Sequence, residues 1–355
     1  MKVFTLTDIP SPYQVELFNE IESRDGIDLS VAYLRDRDPQ RQWQPAQAQY
    51  ECWTMSESPA AFSAVERASQ NADLSIFNYY NHPLAEALLA RRAESGRPWC
   101  FWGERPGLRK PQFAGAWFRK WKLKPLRRSQ TPIWGIGEFA LARYRVEFGA
   151  QRAYRNLPYF SNLDRFAVER GRDSARRVFL FVGSLIQRKG VDLVARAFVR
   201  VAREFPNVSL KIAGAGGLEK MVAETVNSVR ERVEFVGFKS WNELPELYAS
   251  ADVLSVPSRY DGWGLVVPEG LAARLPVIAT DQMGAALEFV QTGNNGWLIP
   301  AANEAAIYNA LREAAMLPKV ELDQLGRRAQ ASVSEHTLAH GAERFVRYAR
   351  EGLHV

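Results

Sequence analysis

Two segments place chemistry-bearing residues at informative spacings. In the first, Phe181-Val-Gly-Ser-Leu-Ile-Gln-Arg-Lys-Gly190, an apolar run ends at Gly183 and Ser184, and Arg188 and Lys189 stand just ahead of a helical pattern. Backbone N–H groups at a helix start, the helix dipole and two cations together make a diphosphate site. A plain βα turn with surface charges explains this segment equally well when it is taken alone. The second is Pro257-Ser-Arg-Tyr-Asp-Gly-Trp-Gly-Leu-Val-Val-Pro-Glu-Gly270, a strand end and a glycine-rich loop running into a helix near Val267. Asp261 sits on the loop and Glu269 in the helix, so two carboxylates on one sheet edge can each accept hydrogen bonds from hydroxyl pairs of a sugar. Gly262 and Gly264 let backbone approach a bulky anion. An Asp-Gly turn and a dipole-favoured Glu account for either acid alone, but not for the whole string.

A third string, Ile212-Ala-Gly-Ala-Gly-Gly-Leu218, is a weak dinucleotide fingerprint. The acidic residue that should close a second strand about twenty residues on is not convincing. Val236-Gly-Phe238 adds another glycine at a strand end.

The elements that must carry these residues alternate. Apolar runs predict strands at Val3–Thr7, Leu29–Leu34, Leu74–Tyr79, Trp99–Trp102, Ile133–Ile136, Val178–Val182, Val208–Ala213, Val233–Val236, Val253–Val256, Val277–Thr280 and Trp297–Ile299. Helical periodicity fits Tyr13–Ser23, Pro59–Ser69, Pro83–Ser95, Glu138–Phe148, Val191–Glu204, Leu218–Asn227, Trp241–Ala249, Val267–Ala273, Glu304–Ala315 and Leu338–Leu353. Alternation of this kind means parallel sheets covered on both faces. The chain has 355 residues, enough for two domains at about 150 residues each. The expectation is an α/β chain of two Rossmann-like, doubly wound domains: residues 1–168, residues 169–337, and a C-terminal helix in 338–355 that crosses back onto the first domain.

In their order, Gly183…Arg188-Lys189-Gly190, Ile212-Ala-Gly214, Val236-Gly237, Ala251-Asp252…Pro257-Ser258, Asp261-Gly-Trp-Gly264 and Glu269-Gly270 resemble the retaining glycosyltransferases of family 4. The resemblance is dense over about 178–300. It is thinner over Thr7-Asp-Ile-Pro-Ser-Pro-Tyr13, Trp102-Gly-Glu-Arg-Pro-Gly107 and Asn156-Leu-Pro-Tyr-Phe160. It implies the glycosyltransferase B (GT-B) arrangement, two domains facing across a cleft, with the nucleotide sugar on the second and the acceptor on the first. By this resemblance Glu269 holds the nucleotide ribose, Asp261 contacts the donor sugar, and Arg188 and Lys189 neutralise the diphosphate. Gly183 and Ser184 belong to the same donor-side turn. Gly262, Trp263, Gly264, Leu265 and Val266 form the loop whose amides face sugar and phosphate, and Gly237 and Phe238 lie beside the base. Two positions depart from the common pattern, Asp261 where the family often has Glu and Ser184 where it often has Arg.

The acceptor side is expected at Ser11, Tyr13 and Gln14 after the first strand, at Glu104 and Arg105 after a very apolar one, and at His82 before Pro83. Ser11 and His82 are equally readable as helix caps. The resemblance implies attack on the face from which the diphosphate departs, with a donor phosphate oxygen taking the acceptor proton. The expected donor is a UDP-sugar or a GDP-sugar. The expected acceptor is a glycan or lipid-linked glycan of the polysaccharide or lipopolysaccharide type. No cofactor and no metal are expected, since protein cations serve the diphosphate. Asp36-Arg-Asp38 resembles a metal-binding D-x-D but reads as solvated charge. A nucleotide-sugar epimerase or a glycan phosphorylase is the alternative on the same fold, and a nicotinamide oxidoreductase would rest only on the weak glycine string.

The formal net charge is +6, and one stretch supplies it. Residues 1–104 carry 9 basic and 15 acidic side chains, residues 105–165 carry 14 and 3, and residues 166–355 carry 23 and 22. Within 105–128 there are nine Lys or Arg and no acid, interleaved with Phe113, Trp117, Phe118 and Trp121 at helical spacing. Basic heads around aromatic rings suit an anionic membrane surface; a solvated, partly packed helix is the plainer reading. A nucleic-acid-binding protein is the non-enzyme alternative, but it leaves the Asp261/Glu269 loop unexplained, so no nucleic-acid partner is expected. No run of eighteen apolar residues occurs. The opening MKVFTLTDIP reaches Asp8 and Pro10 too soon for a signal peptide, and two cysteines, Cys52 and Cys100, fit a reducing compartment. The expected location is the cytoplasm, peripheral on the cytoplasmic face of the membrane.

Overall fold

The computed structural model describes residues 1–37, 46–55, 59–106, 112–167 and 176–354. The chain divides into two units, Met1–Asn162 with Thr337–Val355, and Leu163–His336. The first unit is built from β1 (Lys2–Thr7), α1 (Pro12–Glu22), β2 (Asp28–Tyr33), β3 (Glu51–Thr54), α2 (Pro59–Asn71), β4 (Leu74–Phe77), α3 (Pro83–Glu94), β5 (Trp99–Gly103), α4 (Gln112–Lys122), α5 (Lys124–Arg128), β6 (Ile133–Gly135), α6 (Glu138–Phe148) and β7 (Tyr154–Asn156). The second runs through β8 (Arg177–Val182), α7 (Val191–Glu204), β9 (Val208–Ala213), α8 (Glu219–Thr225), β10 (Val233–Gly237), α9 (Leu244–Ala249) and β11 (Val253–Val256). It continues with α10 (Val266–Ala272), β12 (Val277–Thr280), α11 (Gly284–Phe289), β13 (Gly296–Ile299), α12 (Glu304–Met316) and α13 (Lys319–Ser332), after which α14 (Leu338–Glu351) returns to the first unit.

Both sheets are parallel. Their orders are β3-β2-β1-β4-β5-β6-β7 and β10-β9-β8-β11-β12-β13. Central strands buried on both faces read as nearly continuous apolar runs, and β4, β5, β11 and β12 have every residue buried. Helices pay for their own ordering by burying one stripe. In α7, Val191, Val194, Ala195, Phe198, Val201 and Ala202 recur at three- and four-residue steps and are all buried. They meet Ile307, Ala310, Leu311 and Ala314 of α12 in one core cluster. Burying Phe198 alone contributes roughly 1.5–3 kcal/mol.

Several elements depart from the sequence expectation. Edge strands β3 and β7 are short, with no buried residue, so no apolar run announces them. Helix α13 is mostly polar and buries only Leu322, Leu325, Gly326 and Ala329, and α11 is only six residues long. The helix expected from Leu218 breaks after Thr225 into 3-10 turns. The units divide at Asn162/Leu163, ahead of the expected boundary. The reason is Phe166, which is buried edge-on against Trp241 and Tyr248 of the second unit. Residues 168–175 of that boundary lie outside the described residues. No helix among the described residues is long and apolar enough to cross a membrane.

Candidate active site

In the second unit, strand order reverses between the neighbours β8 and β11. A doubly wound sheet opens a crevice at the carboxyl ends of such a pair. The loop leaving β8 carries Gly183–Gly190, and the loop leaving β11 carries Pro257–Leu265. Both candidate segments therefore meet at the one place where the topology provides room.

Close backbone approach holds these loops together. Gly190 has φ 78°, and a Cβ there would lie 2.2 Å from the Pro257 carbonyl oxygen. Gly214 has φ 137°, and its Cβ would lie 1.9 Å from the Gly183 carbonyl oxygen. The glycine string after β9 is thus a contact between strand ends, which removes the ground for reading it as a dinucleotide fingerprint. The Arg259 N–H donates to the Arg188 carbonyl at 2.8 Å. The Arg259 guanidinium also grips both oxygens of Asp192 in α7, at 2.7 and 2.6 Å. Burial opposes the charge on Asp192, but Arg259 and Arg196 outweigh it and hold the carboxyl below its ordinary range.

Asp261, with its side chain 14% exposed, accepts a hydrogen bond from Lys189 Nζ at 2.5 Å and lies 3.8 Å from Arg188 Nη1. Burial works against its ionisation; Lys189, Arg188 and the Trp263 N–H overcome that and hold the carboxyl below the usual range. Arg188 also donates to the Tyr260 carbonyl at 3.0 Å. The cation expected on a phosphate is therefore paired with the carboxylate expected on a sugar, and the Trp263 amide is turned toward that carboxylate. Lys189 keeps further N–H donors for an anion. Glu269, 4% exposed in the first turn of α10, accepts a hydrogen bond from the Tyr248 hydroxyl at 2.8 Å.

The remaining donor-side residues fall in two groups. Gly262 and Trp263 are buried, and the Trp263 ring packs edge-on to Phe289 and tilted against His336, so this side chain anchors the loop. Gly264 has φ 91°, and Leu265 and Val266 lead half-buried into α10. Ser184 is exposed, the Gly183 N–H is spent on the Ala213 carbonyl, and Gly237 accepts from the Gly214 N–H at 2.7 Å. Phe238 is 41% exposed beyond the edge strand β10.

The first unit has its own order reversal, between β1 and β4. There Gln14, 3% exposed, donates to Thr7 Oγ1 at 3.3 Å and to Asn78 Oδ1 at 3.4 Å. The Asn78 amide donates to the Trp102 carbonyl at 2.8 Å. The Tyr13 ring packs against Tyr159, tilted by 55° at 5.0 Å, and the buried Tyr159 phenol faces Glu104 and Asn78. Ser11 is buried ahead of α1 without a side-chain cap bond. His82 caps α3, with Nδ1 accepting from the Leu84 N–H at 3.3 Å. Arg105 lies over the Phe139 ring at 3.6 Å, a cation–π contact. Asp36 pairs with its neighbour Arg37, and Asp38 lies outside the described residues.

The basic stretch 105–128 does not form one surface. Arg119 is turned inward onto Glu147 in a buried ion pair, and Lys122 donates to Glu86 at 2.5 Å. Trp117 and Trp121 remain 72% and 48% exposed on α4, with Lys124 Nζ 5.7 Å from the Trp121 ring, and Arg127 and Arg128 of α5 are exposed as well. Residues 107–111 lie outside the described residues.

Tyr248, Arg259, Asp192, Thr7 and Asn78 are site residues that no motif marked. Arg259 and Thr7 stood inside quoted strings, but the role of Arg259 in tying two loops and that of Thr7 as a partner of Gln14 have no local signature.

Residues 164–331 match the family described as glycosyl transferases group 1, which spans nearly all of the second unit. A crystal structure of Anabaena HepE in complex with UDP aligns with a TM-score of 0.79 at 16% identity, covering 99% of this chain and 100% of that one. Sucrose-phosphate synthase of Thermosynechococcus elongatus aligns with a TM-score of 0.77 at 17% identity, covering 99% and 98%. The chain has the glycosyltransferase B fold. Among curated relatives, a GDP-mannose-dependent alpha-(1-6)-phosphatidylinositol monomannoside mannosyltransferase of Mycolicibacterium smegmatis is 29% identical over 219 residues, 54% of this chain and 56% of that protein. An uncharacterized glycosyltransferase of Methanocaldococcus jannaschii is 35% identical over 127 residues, 35% of this chain and 32% of that one. The chain thus spans between about a third and a little over half of these relatives' length. In this glycosyltransferase B chain, the sheet-order reversal that positions Lys189, Asp261 and Glu269 lies within the region matched by the family.

Proposed function

We propose that this protein is a retaining, metal-independent glycosyltransferase that moves a sugar from a UDP-sugar or GDP-sugar to a hydroxyl of a glycan or lipid-linked glycan. The observation that carries the reading is the Lys189–Asp261 pair, with Arg188 beside it, at the β8/β11 crevice of the region that matches group 1 glycosyl transferases. In the proposed reaction the bond from the sugar anomeric carbon to the diphosphate breaks. The acceptor oxygen bonds that carbon on the same face, and the acceptor proton passes to the departing phosphate oxygen. Lys189 and Arg188 stabilise charge that grows on that oxygen, where preformed electrostatics act most strongly. Asp261 orients sugar hydroxyls, and Glu269 holds the ribose. The acceptor is assigned to the β1/β4 edge of the first unit, with Gln14, Tyr13 and Glu104, and the exposed α4–α5 surface to an anionic membrane. The lipid acceptor in the mycolicibacterial relative's name supports the lipid-linked choice.

The test is incubation with UDP- and GDP-sugars and added glycan or lipid-linked acceptors, with and without EDTA. The expected result is nucleoside diphosphate release coupled to an acceptor product of unchanged anomeric configuration, insensitive to EDTA. Donor isomerisation, phosphorolysis in place of transfer, an inverted anomer or strict dependence on a divalent ion would each overturn it.

A further inference from the structure

We infer that Tyr248 is a positioning residue for nucleotide recognition: its hydroxyl fixes the Glu269 carboxylate in the orientation that receives the ribose. The inference rests on the proposed ribose role of Glu269.

Tyr248 is 0% exposed, and its hydroxyl lies 2.8 Å from Glu269 Oε2. A buried phenol needs a hydrogen-bond partner, and here the partner is a charged acceptor, which makes the bond among the stronger kinds. The ring cannot easily swing away. It meets Phe166 edge-on at 5.2 Å and 79°, and Phe166 meets Trp241 edge-on at 6.2 Å and 88°. The carboxylate's own backbone is equally fixed. Val267, Pro268, Glu269 and Gly270 are all buried in α10, and Gly270 leaves no room for a Cβ beside Leu254. Two rigid elements, α9 and α10, are therefore joined by this hydrogen bond. A carboxylate has about four acceptor positions, so the phenol can hold one and leave capacity for ribose hydroxyls. Without it, the carboxylate would lose this restraint on its last side-chain torsions and bind hydroxyls at a greater entropic cost. The phenol's own ionisation is pushed far up, by burial and then by the adjacent carboxylate, so it remains a donor.

The test measures, by calorimetry, the affinity of the full chain for UDP and GDP and for their 2′,3′-dideoxy forms. It compares wild type, Tyr248→Phe and Glu269→Gln. The readout is the ratio of affinities for ribose and dideoxyribose ligands within each protein sample, which a reduced folded fraction does not change. Wild type should prefer the ribose ligand, and Tyr248→Phe should cut that preference about 10- to 100-fold, the scale of a hydrogen bond to a charged group. Affinity for the dideoxy ligand should stay the same. If Tyr248→Phe weakens both ligands equally, the role is structural and the inference fails. If Glu269→Gln abolishes the preference while Tyr248→Phe retains it, the ribose reading stands and the Tyr248 inference alone falls. If Glu269→Gln leaves the preference intact, the ribose reading itself is wrong.

Discussion

Lys189 and Asp261 act on each other before either meets a substrate. Their pairing at 2.5 Å sets the sign of two substitutions. Lys189→Ala removes the closer of the two cations that the proposed reaction places on the departing phosphate and leaves Arg188, 3.8 Å away, as the cation beside Asp261. Turnover should fall by about 10²–10³, the scale for removal of one transition-state donor, and a smaller fall is expected for the half-exposed Arg188→Ala. Asp261→Asn should lower sugar transfer and leave nucleoside diphosphate binding as tight as in wild type or tighter, because Lys189 is then released to the phosphate. Calorimetry with UDP or GDP beside a transfer assay checks both, and loss of diphosphate affinity in Asp261→Asn would contradict the pairing argument. The carboxyls of Asp192 and Asp261 are both depressed in the folded state. Their contribution to stability is therefore complete above the unfolded value near about 4 and is lost as pH falls through the folded values. The melting temperature of Asp192→Asn, relative to wild type, should be lower at pH 7 and converge with it in strong acid. The acids and cations were legible because their types and spacing are local. Tyr248 was not, since its partner lies twenty-one residues away, with the whole of β11 and two connections between them.

At the scale of elements, the α4–α5 region shows what composition can and cannot say. Nine cations in 105–128 read as one basic surface, yet Arg119 faces Glu147 and Lys122 faces Glu86. A sequence shows charge but not the partner that a second helix brings from thirty residues away. The docking prediction accordingly narrows to Lys120, Lys124, Arg127 and Arg128 with Trp117 and Trp121. Each cation near an anionic bilayer contributes about 1 kcal/mol, weakened by salt, while the indoles add an apolar contribution that salt does not remove. Vesicles of phosphatidylglycerol and phosphatidylcholine should co-sediment the wild type at low salt. Changing the four cations to Glu should abolish this, and changing both tryptophans to Ser should leave only the salt-sensitive part. Equal binding by the charge-reversed protein would exclude this surface. Arg119→Glu belongs outside that test, because two carboxylates would then share a buried site, and it should destabilise the first unit by about 3–5 kcal/mol. The edge strands β3 and β7 escaped the sequence for a related reason, since an edge has no second neighbour to demand an apolar side chain.

For the whole molecule, the chain path decides what unfolds with what. The alternation of strands and helices made two parallel sheets legible, and the last helix was expected on the first domain, but no local pattern says what holds it there. The answer lies in complementary faces. Gly341, Ala342, Phe345, Val346 and Ala349 are buried, and Phe345 meets Trp134 at 5.5 Å and 80°. A Cβ at Gly341 would lie 2.6 Å from the Phe160 ring, and Arg155 pairs with Glu351 at 2.6 Å. The last helix is therefore part of the first unit's core, although the whole second unit intervenes in the chain. Each unit has its own buried cluster, and two-state unfolding is not to be assumed for such a chain. Phe345→Ala should lower the stability of the first unit by about 3–5 kcal/mol, the usual cost of emptying a buried aromatic site. The second unit holds the proposed nucleotide residues, so its transition should stay in place and still rise with added UDP or GDP. Differential scanning calorimetry with and without nucleotide reads both at once. If Phe345→Ala lowered the nucleotide-sensitive transition by the same amount, the units would unfold as one cooperative body, and α14 would be coupling them rather than completing one.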